Sequence, residues 1–340
     1  MDLTLGKTGI VTNKVAFGAL PIQRVSTAEA VRLLHMALDG GITYFDTARG
    51  YSDSEEKLGE AFHDRRDRVF IATKTPSKTP EGFWNDLETS LKKLRTDYID
   101  VYQFHNPDTV PLPGDGTGLY ECMVEAKKQG KIRHIAITNH RIGTAMKIVE
   151  SGAYETIQYP FSLLASEKDL ELVKKAEEAG MGFIAMKAMS GGLITSGREA
   201  CAFLNPYPVL PIYGVQRESE LREFLEFVND PPAMTPEIEA MIEADRKQLA
   251  GDFCRGCGYC MPGCPMNIQI NTCARMSLLL RRSPSAQWLS EFGQSMMKQV
   301  ESCVECGQCS SACPYGLDTP ALLKRNYEDY KQVLAGEVQV

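Results

Sequence analysis

The chain has 340 residues, of which 43% are hydrophobic and 24% are charged, and its net charge is −7 with a pI of about 5.4. This balance is typical of a globular protein and excludes a disordered or fibrous chain. No run of five or six basic residues occurs, so nothing indicates a nucleic-acid surface. No apolar segment approaches the roughly 18 residues of a membrane span, and the amino terminus lacks the apolar core of a signal peptide, so we expect a cytoplasmic protein.

Short apolar runs alternate with helix-compatible segments through the first 230 residues. The strand-like runs are VAFGAL (15–20), ITYFDTA (42–48), VFIATK (69–74), IDVYQFH (99–105), IRHIAIT (132–138), TIQYP (156–160), GFIAMKA (182–188) and VLPIYGV (209–215). Several helical segments open with Ser or Thr, which are good N-caps, and close with Gly. Eight strands alternating with helices predict a closed (β/α)₈ barrel. The alternative, an open doubly wound sheet, lacks its G-x-G-x-x-G motif.

Four polar residues follow the predicted strands at the barrel's carboxyl-terminal face, where such barrels carry their chemistry. Asp46 and Tyr51 come after the second strand, Lys74 ends the third and His105 ends the fourth. A tyrosine has an unperturbed pKa of about 10, so it needs a cation that favours its phenolate form to work near neutrality. Lys74 supplies this charge in our interpretation, Asp46 balances Lys74, and His105 binds the substrate oxygen.

This set resembles the aldo-keto reductase family over residues 1 to about 230. The segments FDTARGYSDSEEKLGEAF, IATK, YIDVYQFH and GKIRHIAITNH look like that family's signatures, in its order. The resemblance implies that Tyr51 is the general acid in carbonyl reduction and the base in the reverse direction. Asp46, Lys74 and His105 complete the implied catalytic tetrad.

The resemblance also implies NADP(H) or NAD(H) lying over the barrel mouth. Thr138, Asn139 and Gln158 match the positions that hold the carboxamide. The pyrophosphate loop matches Met189, Ser190, Gly191, Gly192 and Leu193. Met186 stands where relatives stack an aromatic ring on the nicotinamide. At the adenosine end, Gly214 replaces a residue that is often basic, Arg217 is the candidate for a 2′-phosphate, and Glu223 matches the adenine contact. The choice between NADPH and NADH stays open.

The cysteines divide the chain. Nine of the eleven lie between Cys254 and Cys313, after the Pro-containing stretch PPAMTPEIEAMIEADRKQLAGDF. We therefore predict a barrel domain over 1–234, a connecting helix over 235–252, and a small α-helical, ferredoxin-like domain with a C-terminal helix over 253–340.

The cysteine domain contains two complete C-x₂-C-x₂-C-x₃-C-P runs. In two-cluster bacterial ferredoxins the fourth cysteine of each run ligates the other cluster. The runs therefore predict two [4Fe-4S] clusters, one held by Cys254, Cys257, Cys260 and Cys313, and the other by Cys303, Cys306, Cys309 and Cys264. The alternative is a pair of structural zinc sites, which more often use separated C-x₂-C pairs.

Three classes of function follow. The first is an NAD(P)-dependent oxidoreductase of the EC 1.1.1 type, acting on a small carbonyl or alcohol, with the iron–sulfur domain capping the pocket. The second is a redox hub whose clusters exchange electrons with a partner ferredoxin or flavoprotein. The third is a redox sensor without enzymatic activity. The intact tetrad favours the first, because a binding module has no need of it.

Overall fold

The computed structural model describes residues 2–191, 194, 196–249, 254, 256, 258, 260–282, 285–313 and 316–340. The side chains of Gln248, Leu249 and Arg282 are outside this description. The described residues divide into two compact units. The first contains Met1–Ser190 and Thr195–Ile238, and the second contains Gly191–Ile194 and Glu239–Val340.

The first unit is built on a closed barrel of eight parallel strands. The strands of the chain are β1 Asp2–Thr4, β2 Val11–Asn13, β3 Ala16–Gly18, β4 Tyr44–Asp46, β5 Phe70–Thr75, β6 Ile99–His105, β7 Ile132–Thr138, β8 Thr156–Pro160, β9 Gly182–Met186 and β10 Val209–Gly214. β3 to β10 pair in chain order, and β10 closes the barrel against β3. This closure confirms the predicted (β/α)₈ fold class.

Helices alternate with the barrel strands. Those of the first unit are α1 Thr27–Asp39, α2 Ser54–Phe62, α3 Pro80–Leu94, α4 Leu119–Lys128, α5 Ile142–Ser151, α6 Glu167–Glu178, α7 Gly197–Leu204 and α8 Glu218–Asn229, and α9 Pro236–Leu249 follows. Side-chain oxygens of Ser26, Thr79, Ser166 and Ser196 accept a hydrogen bond from the backbone N–H three residues later. These four caps begin α1, α3, α6 and α7 because each satisfies an N–H that has no partner within the helix.

The barrel interior is apolar toward the amino-terminal ends of the strands. Leu3, Leu5 and Ile10 come from the antiparallel β1–β2 hairpin and its turn, and they share one core cluster with Tyr44 and Val101 of the barrel strands. Burying this end of the barrel leaves the opposite, carboxyl-terminal end for polar side chains.

Several strands are shorter than their apolar runs, and β9 is the one whose end shapes the barrel mouth. The run GFIAMKA spans 182–188, but β9 ends at Met186 because Lys187 adopts a left-handed φ of 58°. This conformation is uncommon for a residue with a side chain, and it turns the backbone out of the strand. The turn places residues 187–191 in a loop at the barrel mouth.

The second unit is helical and has its own core. Its helices are α10 Ile270–Cys273, α11 Met276–Arg282, α12 Ser285–Leu289, α13 Glu291–Lys298, α14 Gln308–Ser311 and α15 Thr319–Leu334. Cys254, Cys273 and Cys309 are buried in this core, and Cys260, Cys264, Cys303 and Cys313 pack against it. The Tyr330 hydroxyl donates a 2.8 Å hydrogen bond to the Trp288 carbonyl and ties α15 to α12. Within the described part of the chain, no helix is both long and apolar enough to cross a membrane.

The packing of α2 on α3 depends on Gly59. A Cβ atom added to Gly59 would lie 2.1 Å from the Lys93 carbonyl oxygen, which belongs to the backbone and has no room to move. We expect Gly59→Ala to lower the free energy of unfolding by about 1–3 kcal/mol through overpacking. Gly143→Ala is the matched control, because Gly143 is exposed in α5 and its added Cβ would meet no atom within 4 Å. Urea unfolding followed by circular dichroism compares the two, and equal midpoints would contradict the close approach.

Candidate active site and cysteine cavity

The four residues of the predicted tetrad come together at the carboxyl ends of three neighbouring strands. Asp46 is the last residue of β4, Lys74 lies in β5, and His105 is the last residue of β6. Tyr51 lies in the loop between β4 and α2, where its backbone N–H donates to the Ala48 carbonyl at 2.9 Å. Since parallel strands end at the same edge of a barrel, all four side chains belong to its carboxyl-terminal face.

Lys74 and Asp46 form a buried ion pair. The Lys74 Nζ lies 2.7 Å from Asp46 Oδ2 and donates a second hydrogen bond of 2.6 Å to the Thr47 carbonyl oxygen. Lys74 is 1% exposed and Asp46 is 4% exposed, so water does not screen their attraction. Burial raises the pKa of the Asp46 carboxyl, while Lys74 opposes this shift. The ammonium group therefore has a fixed position beneath the barrel mouth.

Tyr51 faces this ammonium group. Lys74 Nζ lies 5.2 Å from the centre of the Tyr51 ring. Burial raises the pKa of the Tyr51 hydroxyl, and Lys74 counteracts the rise by favouring the phenolate. The hydroxyl is consequently protonated near neutral pH, as a proton donor must be, and the adjacent cation can stabilise the phenolate that remains after transfer.

His105 packs edge-on against Tyr51. Their ring centres are 6.0 Å apart and the ring planes meet at 81°. Burial lowers the pKa of His105 to about 4, and the nearby Lys74 charge adds to this effect. The imidazole is therefore neutral at physiological pH and can donate a hydrogen bond to a substrate oxygen without competing with Tyr51 as an acid.

Gln103 is a site residue that the sequence analysis missed. Its Nε2 donates to Asp46 Oδ1 at 3.3 Å, and the residue is fully buried. Gln103 precedes His105 by two positions in β6 and pairs in register with Lys74. Alternate residues of a strand share a face, so this spacing from His105 was the signal that could have revealed it.

Gln158 has a free acceptor that fits a nicotinamide carboxamide. Its Nε2 donates to Asp46 Oδ2 at 3.4 Å, while its buried Oε1 has no hydrogen-bond partner among the described residues. The Thr138 hydroxyl oxygen accepts from the Asn106 N–H at 2.9 Å and keeps its own proton to donate. Asn139 Oδ1 already accepts from the Arg141 N–H at 2.9 Å. Gln158 and Thr138 thus offer one acceptor and one donor to a bound amide.

The predicted pyrophosphate loop begins at the end of β9. Met186 is partly buried there, and Met189 is also partly buried. The Ser190 hydroxyl shares a 2.7 Å hydrogen bond with the Ser162 hydroxyl, and Gly191 has a φ of 70° with free space where a Cβ would stand. Gly192 and Leu193 lie outside the described residues. The described part of the loop therefore leaves its backbone accessible to a ligand at Gly191.

Two side chains that the sequence analysis did not place in the tetrad meet beside this loop. Lys187 Nζ lies 3.4 Å from His140 Nδ1. The His140 backbone N–H donates to Asn106 Oδ1 at 3.2 Å, and Asn106 follows His105 directly. The strand ends of β6, β7 and β9 are thus linked by polar contacts at the barrel mouth.

The predicted adenosine-end residues surround the start of α8. Gly214 is exposed at the end of β10. Arg217 is exposed, and its Nη2 lies 3.0 Å from Glu220 Oε1, so a carboxylate already occupies part of its guanidinium. Glu223 Oε1 accepts from the Gly197 N–H at 3.1 Å and connects α8 to the first residue of α7. Glu223 therefore has a structural role in the fold whether or not it contacts adenine.

Four cysteines of the second unit line one cavity. They are Cys264 from the first run and Cys303, Cys306 and Cys309 from the second. The remaining lining residues include Ile268, Ile270, Val304 and Leu323. In the described ranges, no group of three or more His, Cys, Asp or Glu side chains is arranged around a single metal ion. A cavity ringed by four thiols suits a multi-iron cluster, which is held by four cysteines.

The other predicted ligand set is described in part. Cys254 is buried, and Cys260 and Cys313 are partly buried against the same core. Cys257 lies outside the described residues. The three described cysteines thus share the core that surrounds the cavity of the second set.

Comparison with known proteins identifies both parts of the chain. The model of the aldo/keto reductase family matches residues 14–202, and the model of a 4Fe-4S dicluster domain matches residues 253–318. The chain belongs to the aldo/keto reductase family. The second match supports the iron–sulfur interpretation of the cysteine runs in this family member.

Individual relatives of this aldo/keto reductase agree with the family assignment. Aldo-keto reductase YhdN of Bacillus subtilis (strain 168) is 32% identical over 211 residues, which are 56% of this chain and 63% of that protein. Methylglyoxal reductase DkgA of Escherichia coli O157:H7 is 32% identical over 142 residues, which are 38% of this chain and 48% of DkgA. The chain therefore spans less than two thirds of either relative. Family membership supports an oxidoreductase.

A solved structure shares the fold. Aldo-keto reductase AKR11C1 from Bacillus halodurans, in its holo form, superposes with a TM-score of 0.64 at 20% identity, covering 72% of this chain and 95% of that one. At this identity the likeness concerns the barrel architecture.

The lowered pKa of His105 makes the stability of this protein depend on pH. The unfolded chain binds a proton at His105 near pH 6.5, whereas the folded chain binds it only near pH 4. Stability contributed by the neutral imidazole is therefore present above pH 6.5 and is lost as pH falls toward 4. We expect the free energy of unfolding to drop by about 2 kcal/mol more between pH 7.5 and pH 5 in the wild type than in His105→Asn.

Urea unfolding at the two pH values measures this difference. His63→Asn is the matched control, because His63 is exposed at the end of α2, and its pH dependence should follow the wild type. Equal losses in wild type and His105→Asn would show that His105 is not a buried neutral imidazole.

Proposed function

We propose that the chain is an NAD(P)-dependent oxidoreductase that interconverts a small carbonyl compound and its alcohol, with Tyr51 as acid and base. The observation that carries the proposal is the buried Lys74–Asp46 pair beneath the Tyr51 ring, 2.7 Å between charges and 5.2 Å from ammonium to ring centre. Such a pair is costly to bury, and its position next to a tyrosine and a neutral histidine matches proton transfer to a carbonyl oxygen.

The protein residues divide the work in the reductive direction. His105 donates a hydrogen bond to the carbonyl oxygen and orients it toward Tyr51. The Tyr51 hydroxyl gives its proton to that oxygen as negative charge develops there, and Lys74 stabilises the resulting phenolate. A nicotinamide dinucleotide, when bound, supplies the hydride that reaches the carbonyl carbon. Asp46 keeps the lysine in place through the ion pair, and the reverse sequence oxidises the alcohol.

The residues that would hold the dinucleotide are those with free polar groups at the mouth. Gln158 Oε1 and the Thr138 hydroxyl suit the carboxamide, since one accepts and the other donates. The backbone at Ser190 and Gly191 suits the pyrophosphate. The Arg217 guanidinium already forms an ion pair with Glu220, so only part of it is available to a 2′-phosphate. The adenosine end is therefore compatible with either NADP(H) or NAD(H).

We further propose that residues 253–340 form an iron–sulfur domain with two [4Fe-4S] clusters, following a barrel domain over 1–234 and a connecting segment over 235–252. The cavity lined by Cys264, Cys303, Cys306 and Cys309 supports the crossed ligand assignment, because Cys264 belongs to the first run. The capping of the substrate pocket by this domain stays a prediction.

Replacing Tyr51 tests the catalytic proposal. We expect Tyr51→Phe to lower kcat for carbonyl reduction by about 10²–10⁴-fold, because the proton donor is lost, while nucleotide affinity stays within about threefold. Steady-state kinetics and nucleotide titration measure both quantities. Tyr120→Phe is the control, since the Tyr120 hydroxyl binds the Ala153 carbonyl away from the mouth. A Tyr51→Phe enzyme with wild-type kcat would refute the assignment.

Replacing single cysteines tests the crossed ligation. We expect Cys264→Ala and Cys306→Ala to leave the same residual electron paramagnetic resonance signal after reduction, because both remove a ligand of one cluster. Cys260→Ala should leave the other signal. Cys273→Ala is the control, since this buried cysteine lies in the same core and is not an assigned ligand. A residual signal shared by Cys264→Ala and Cys260→Ala would show that each run closes its own cluster.

A further inference from the structure

We propose that Arg275, with Asn271 beside it, raises the reduction potential of the cluster held by Cys254, Cys257, Cys260 and Cys313 above that of the other cluster. The inference rests on the iron–sulfur assignment made under Proposed function. It identifies which of the two clusters is reduced first when an electron enters the second unit.

The Arg275 guanidinium lies directly against the backbone of the first cysteine run. A Cβ atom added to Gly256 would stand 2.2 Å from Arg275 Nη1 and 3.3 Å from its Cζ. Gly256 lies between two assigned ligands, Cys254 and Cys257. The guanidinium therefore occupies the space that a side chain at position 256 would fill, and only glycine permits this approach.

Asn271 reaches the same run from α10, while Arg275 lies in the turn between α10 and α11. A Cβ atom added to Gly258 would lie 3.9 Å from Asn271 Nδ2. The Asn271 Oδ1 is buried without a hydrogen-bond partner in the part of the chain that the structure describes. Two polar side chains thus face the two glycines that flank Cys257.

The Arg275 guanidinium lies against Gly256, and no carboxylate among the described residues forms an ion pair with it. Its Nε atom is buried and has no hydrogen-bond partner among the described residues. A guanidinium in this position has donors available for ligand sulfur atoms.

The cavity of the second ligand set has different surroundings. Apolar side chains line it, among them Met266, Ile268 and Val304. Lys324, the cation that interacts with Cys303, is exposed and lies 2.6 Å from the carboxylate of Glu305. An exposed and paired ammonium contributes little, because water and the carboxylate screen it. Within the described ranges, the partly buried cation without an ion-pair partner therefore belongs to the first set alone.

This asymmetry has a defined electrochemical direction. Reduction adds one electron to a cluster and makes it more negative. A partly buried cation and hydrogen-bond donors stabilise that added charge, and cluster potentials respond to net charge, hydrogen bonds to sulfur and exposure. The first cluster is therefore reduced before the second.

A redox titration of the full-length holoprotein tests this order. The anaerobically purified protein is titrated with dithionite in the presence of mediators, and each cluster is followed by electron paramagnetic resonance. Cys254→Ser and Cys306→Ser, which alter one ligand in each set, identify the two signals. We expect two separate one-electron waves in the wild type, the higher belonging to the signal that Cys254→Ser changes.

Variants of Arg275 then isolate its charge. We expect Arg275→Gln to lower the reduction equilibrium constant of the first cluster by about tenfold, which is about 59 mV for one electron, with the second cluster unmoved. Arg275→Lys should retain part of the effect. Arg281→Gln is the matched control, because it removes the same charge from an exposed side chain whose Nη1 lies 2.7 Å from Asp329, and both waves should stay in place.

The outcomes separate the proposals. Two clusters require about eight iron atoms and eight sulfides per chain, and a wild type with about four of each or fewer overturns the two-cluster assignment and this inference with it. Iron-loaded protein whose clusters share one potential, or whose higher wave belongs to the second set, overturns the role of Arg275 alone. An Arg275→Gln shift no larger than that of Arg281→Gln does the same. If the Arg275→Gln variant does not retain its clusters, two measurements still test the proposal. They are the order of the two reduction potentials in the wild type and the potential of the first cluster in Arg275→Lys.

Discussion

The buried contact between Lys74 and Asp46 is the interaction on which the candidate active site depends. Neither charge is stable alone in the barrel interior, and breaking such a pair by removing one partner typically costs about 3–5 kcal/mol. The Thr47 carbonyl satisfies a second proton of the ammonium, and Gln103 and Gln158 donate to the carboxylate. These contacts join β4, β5, β6 and β8, so the polar end of the barrel is tied together by one carboxylate.

The same burial has opposite effects on the two groups that face the ion pair. It raises the pKa of Tyr51 and lowers that of His105, because in each case the neutral form is favoured. A neutral phenol and a neutral imidazole can then take different parts in one proton transfer. The ammonium of Lys74 supports this division, since it stabilises the phenolate and disfavours a second positive charge on His105.

The second unit shows how local backbone geometry can distinguish two cysteine runs of the same spacing. In the first run, glycines at positions 256 and 258 meet Arg275 and Asn271. In the second run, Gly307 meets no atom within 4 Å of its Cβ position, and apolar residues line the adjacent cavity. A guanidinium therefore lies against the first cysteine run, whereas apolar side chains line the cavity beside the second.

Much of this organisation follows from the sequence by itself. The alternation of apolar runs with capped helices is a local pattern, and it determined the (β/α)₈ class. The bounds of β6, β7 and β8 also match those predicted from their apolar runs. The tetrad residues and the cysteine runs are recognisable because their chemistry requires particular residue types at particular spacings. Arg275 was beyond such reasoning, since it has no motif and lies outside both cysteine runs. Gln103 has a signal in its spacing from His105, but its contact with Asp46 joins strands that are distant in sequence. The same holds for the left-handed turn at Lys187, the free Oε1 of Gln158 and the pKa directions at the mouth. Burial and contact between separate elements decide these properties, and they exist only once the barrel has closed.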